Sequence, residues 1–146
     1  MALQSQVNID IAAGVSGQKA TLNPAVYTVE NYLSDGKVKA GAPCALVSGK
    51  PGFVTMYDGT GTFVGVCERV IAASTEDSTD IYPEGAAVTV MVKGDLCVEA
   101  GTTVTAESTA AYDATDGYCV TGTTVTGWKY KTGGDKGDIV VISSWN

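Results

Sequence analysis

The chain has 146 residues, enough for one domain with its own core, and 45% of them are hydrophobic, too many for a disordered chain. Nine basic residues against 16 acidic ones give a formal charge of −7, which repels phosphate backbones and argues against nucleic acid as a partner. There is no histidine, so neither a Ser-His-Asp nor a Cys-His triad can be assembled, and the commonest general base and zinc ligand are both missing.

No stretch reaches the ~20 apolar residues that a membrane-spanning helix needs. The run Met1-Ala2-Leu3-Gln4-Ser5-Gln6 lacks the charged and apolar regions of a signal peptide. The expectation is a chain that begins near Met1, is made in a cytoplasm and has no membrane contact.

Val, Thr and 18 glycines dominate, and turn signals recur along the whole length. The fold class that follows is all-β: a single-domain β-sandwich or small β-barrel with an extended N-terminal arm. The arm takes residues 1–20 and the β domain 21–146. In the arm, Val7, Ile9 and Ile11 alternate with Gln6, Asn8 and Asp10, so one face is apolar. Gly14, Ser16 and Gly17 end that strand and read as a hinge. Burying Val7, Ile9 and Ile11 is worth about 1.5–3 kcal/mol each as an upper bound. Such an arm either packs on its own sheet or adds a strand to a neighbour.

From Asn23 to Leu33 the chain reads as irregular or extended, with a short helical turn at Asn23-Pro24 as the alternative. Strands are predicted over Cys44–Val47, Phe53–Tyr57 and Thr62–Ile71, the last two joined as a hairpin by Asp58-Gly59-Thr60-Gly61. Residues Ala72 to Glu84 form a polar loop with Glu76, Asp77, Asp80 and Glu84 but no calcium-loop spacing, so it reads as a solvated loop. Ala87–Lys93 alternates, and Gly94-Asp95 turns the chain into Leu96–Glu99. Further strands are predicted at Thr102–Ala106, Tyr118–Gly122 and Thr124–Lys131, with Tyr112–Gly117 a loop. Asp138–Ser143, apolar on both faces, reads as fully buried.

The four cysteines, Cys44, Cys67, Cys97 and Cys119, contain no CxxC pair, so they read as reduced, small apolar side chains, with a disulfide framework as the alternative. Gly59-Thr60-Gly61 and Gly133-Gly134 do not fit a phosphate loop and read as turns. No catalytic residue, metal site or cofactor site emerges. Trp128-Lys129-Tyr130-Lys131 puts two rings on one strand face. They read as a core-facing stripe with lysines on the solvated face; the alternative, with Trp145, is an aromatic contact face of the kind that binds sugars.

The order of features carries a resemblance. Gly41-Ala42-Pro43-Cys44 opens a strand, Phe63-Val64-Gly65-Val66-Cys67 follows a glycine-rich turn, and a polar loop leads into Tyr82-Pro83-Glu84-Gly85-Ala86-Ala87-Val88-Thr89-Val90. Lys93-Gly94-Asp95-Leu96-Cys97-Val98 comes next, and Gly137-Asp138-Ile139-Val140-Val141-Ile142 closes the run. Over roughly residues 40–143 this resembles the structural cement (capsid decoration) proteins of tailed phages. The resemblance implies a non-enzymatic virion protein on the outer capsid surface. It would bind the major capsid protein, bridge neighbouring subunits, form a homo-oligomer with a trimer favoured, and carry no catalytic residues. Leu3, Val7, Ile9 and Ile11 of the arm are then the candidate capsid or subunit interface. The competing reading is a β-rich host-attachment or carbohydrate-binding domain built on Trp128, Tyr130 and Trp145.

Overall fold

The computed structural model describes residues 16–20, 28–69 and 81–144. Ten strands account for the regular structure among them: β1 (Thr28–Ser34), β2 (Pro43–Leu46), β3 (Phe53–Met56), β4 (Phe63–Glu68), β5 (Ala87–Lys93), β6 (Asp95–Glu99), β7 (Thr109–Asp113), β8 (Gly117–Cys119), β9 (Thr123–Tyr130) and β10 (Ile139–Ser143). The first five close into a barrel in the order β1-β3-β2-β4-β5, and the rest form a sheet in the order β6-β10-β9-β7-β8. The all-β expectation is met by both of its forms at once, a small barrel with a second sheet packed on it.

The segment read as irregular or extended supplies a strand over its second half. Tyr32 and Leu33 lie in β1, which runs antiparallel to β5 and parallel to β3 and so closes the barrel. Ser34 ends β1 buried, its hydroxyl donating to the Tyr82 carbonyl (3.0 Å) and accepting from the Gly36 amide (3.0 Å).

Three expectations of how the strands connect and where they lie are corrected. β3 and β4 do not form a hairpin, because β2 lies between them and pairs with both. The chain from Tyr57 to Thr62 must therefore cross two inter-strand spacings, about 9–10 Å, which a tight turn cannot span. Gly94 does not turn the chain back either. β5 stays in the barrel and β6 continues in the sheet, so Gly94, at φ +142°, is a corner between layers. Finally, Thr102–Ala106 makes only an isolated bridge, Val104 to Gly134, while the strand comes later, at Thr109–Asp113.

Two cores result. Inside the barrel lie Val38, Ala40, Cys44, Val54, Cys67, Tyr82, Val88 and Val90. Between barrel and sheet, Ala42, Val66 and Met91 meet Leu96, Val98, Trp128, Tyr130, Val140 and Ile142. β10 is not buried on both faces: Val140 and Ile142 are fully buried, whereas Ile139 and Val141 are only half-buried.

Candidate functional site

The end of the predicted arm ties the sheet to the barrel. Residues 16–20 lie along the outer edge of β6, antiparallel to it, with Lys19 opposite Leu96. The Gly17 amide donates to the Cys97 carbonyl (2.7 Å), the Cys97 amide to Gln18 (2.8 Å) and the Ala20 amide to Asp95 (3.1 Å). On the barrel side the Arg69 amide donates to the Gly17 carbonyl (2.8 Å), and the Arg69 Nε donates to the Ser16 carbonyl (3.0 Å). Lys19 Nζ pairs with Glu68 at 2.9 Å, both side chains mostly buried. The stretch read as a hinge is therefore held from two sides at Ser16 and Gly17.

Sheet edges invite pairing with other chains unless they are covered. The barrel, being closed, has no edge. In the sheet, residues 16–20 cover β6, and at the other end Ala100 bridges to Tyr118 of β8. That second cover depends on Gly101, since a Cβ there would lie 1.5 Å from the Asp116 carbonyl oxygen.

The sequence-predicted site residues fall into two groups. Leu3, Val7, Ile9, Ile11 and Trp145 lie outside the described residues, as do Glu76, Asp77 and Asp80 of the polar loop. Trp128 and Tyr130 are in the inter-layer core, each 1% exposed, so neither ring faces solvent as a contact platform. The strand alternation accounts for this: Lys129, between them, points outward. The Tyr130 hydroxyl donates to the Cys119 carbonyl (2.5 Å), and burial pushes its pKa up to about 12. The Tyr118 hydroxyl donates to the Gly41 carbonyl, stitching sheet to barrel, and burial raises its pKa well above the usual tyrosine range.

All four cysteines are free thiols. Cys44 and Cys67 share the barrel interior, where a hydrogen bond to Cys67 and then burial raise the Cys44 pKa. A thiol held protonated is a poor nucleophile and a poor metal ligand. Among the described residues no group of three or more His, Cys, Asp or Glu side chains could hold a metal ion. Two clefts open at the barrel–sheet seam. One of 280 Å³ is lined by Ser16, Lys39, Glu99, Asp116 and Lys136, and one of 700 Å³ by Asp35, Tyr57, Asp58, Tyr112 and Asp113. Thr60 donates to Asp58 from its hydroxyl and its amide, and the Asp116 and Thr115 amides donate to Asp113. These bonds hold both carboxylates below their usual pKa. Among the described residues no nucleophile is lined up with a base; the arrangement offers covered edges and an anchored strand.

Sequence reasoning missed Arg69 and the pairing of residues 16–20. Ser16-Gly17-Gln18-Lys19-Ala20 has no apolar alternation, and its pairing is made by main-chain groups, which leave no side-chain signal.

A family model described as "Structural cement protein (E217 gp24/Pam3 gp6)" matches residues 3–144. No curated protein sequence matches the chain. Among solved structures, a chain from "The capsid of Myoviridae Phage XM1" superposes with a TM-score of 0.68 at 12% identity, covering 99% of this chain and 98% of that one. At that identity the likeness is one of fold.

Proposed function

The chain belongs to the phage structural cement protein family, and from that premise we propose that it binds the outer surface of the head and bridges neighbouring major capsid subunits. Family membership makes it a non-enzymatic structural protein of the virion, in contact with other capsid components. The bridging role, the major capsid protein as partner and a trimeric state are the finer reading.

One observation carries it: among the described residues the β6 edge is paired by residues 16–20, the β8 edge is bridged at Tyr118 by Ala100, and the closed barrel has no edge. The domain is thus poorly suited to recruit strands along its own edges, and faces, loops and the arm remain as the means of contact. The arm residues Leu3, Val7, Ile9 and Ile11 supply an apolar face that a neighbouring chain buries. The test is co-sedimentation of the purified protein with empty and expanded capsids, alongside light scattering of the free protein. Saturable binding at a fixed copy number per capsid is expected, with a free mass of three chains. Removing residues 1–12 is expected to weaken binding; unchanged binding would remove the arm from the reading.

A further inference from the structure

We infer that Arg69 and Glu68 are positioning residues for the arm: they clamp residues 16–20 against β6, so that Ser16 is fixed at one place on the domain. The inference rests on the arm's proposed role in binding.

The geometry is over-determined for a connecting segment. Ser16 and Gly17 each give their carbonyl oxygen to Arg69, to the side chain and the amide respectively. On the opposite side of the segment Gly17, Gln18 and Ala20 bond to β6. The segment thus bridges the end of β4 to the edge of β6 and fastens barrel to sheet where the arm ends. Gly17 is required there. Its φ is +89°, and a Cβ would sit 2.9 Å from the Arg69 nitrogen. Ser16 seats on Gly41, where a Cβ would lie 2.2 Å from the serine hydroxyl. Because residues 16–20 run antiparallel to β6, Ser16 lies at the Glu99 end of that strand. Ser16 and Glu99 both line the 280 Å³ cleft there.

A merely structural salt bridge would alter stability alone, whereas a positioning clamp links local accessibility to capsid binding. Lys19 supplies the reporter, because trypsin can cleave after it only if the segment leaves β6. The experiment uses the full chain with Arg69→Ala, the conservative Arg69→Lys and Glu68→Gln, with thermal unfolding as a check on folding. Arg69→Ala is expected to speed cleavage after Lys19 by at least about tenfold, the fold-change for losing one charge-assisted hydrogen bond. It is also expected to weaken capsid binding, with Arg69→Lys restoring much of both. Should Arg69→Ala not fold, Glu68→Gln is expected to move both readouts in the same direction.

Unchanged cleavage in a folded variant would overturn the clamp. Faster cleavage with undiminished capsid binding, while loss of residues 1–12 abolishes binding, would overturn the positioning role. Full binding after loss of residues 1–12 would overturn the arm reading and the positioning role with it. That failure is told apart by cleavage after Lys19 still responding to Arg69.

Discussion

The barrel and the sheet reach the same end, a dry interior, by different routes. The barrel interior is filled by valines, an alanine, two cysteines and one tyrosine, Tyr82. It is small because five strands close on themselves, and every strand finds two neighbours. The sheet cannot close. It covers its inner face with Tyr112, Tyr118, Trp128 and Tyr130, the first two packed edge to face at 5.0 Å. Its edges are covered by chain borrowed from outside its strands. Closure lets a layer be built from small side chains; an open layer depends on a few large ones.

The sharpest way to break this contrast is to remove one large ring. Trp128→Ala should cost about 3–5 kcal/mol, against roughly 2 kcal/mol for Val54→Ala in the barrel. Urea unfolding of both variants compares them directly, and equal losses would abolish the distinction.

Alkaline titration sharpens it. Tyr118 and Tyr130 have pKa values raised by burial, so the unfolded chain ionises first, near pH 10. Their contribution to stability is whole below that pH and is lost as the pH rises towards about 12 and beyond, the value to which Tyr130 is pushed. The Cys44 thiol of the barrel is likewise held protonated, so hydrogen exchange at high pH should open both layers, with tyrosinate absorbance appearing as the sheet opens. Exchange confined to one layer would mean that the two open separately.

The smallest effect belongs to the surface. Lys50 and Glu84 pair at 3.4 Å with both side chains more than half exposed, so Glu84→Ala should change the unfolding free energy by less than about 1 kcal/mol.

What could be read from sequence follows the same division between side-chain pattern and main-chain pairing. Ala87–Lys93 and Thr124–Lys131 were legible because alternation reports burial, and both stand almost as expected. Strand order was not. Phe53–Tyr57 and Thr62–Cys67 flank a good turn sequence, yet β2 takes the place between them, and nothing in either strand's residues encodes that. β7 was missed because Thr109-Ala110-Ala111 has weak strand preference and is extended by pairing with β8 and β9. The aromatic pair at Trp128 and Tyr130 alternates with Lys129 and Lys131, and the core-facing reading that this alternation favours stands, both rings being buried. At the candidate site the apolar arm was legible and its fastening was not, since Gly17, Gln18 and Ala20 are held by backbone atoms common to every residue.

The fastening has a mechanical meaning. Hydrogen bonds between antiparallel strands stand across the strand axis. A pull on Ser16 along the axis of β6 therefore loads the bonds of Gly17, Gln18 and Ala20 together, in shear, rather than peeling them one after another. Arg69 spreads part of that load into the barrel. Residues 16–20 are thus a joint whose bonds share the force.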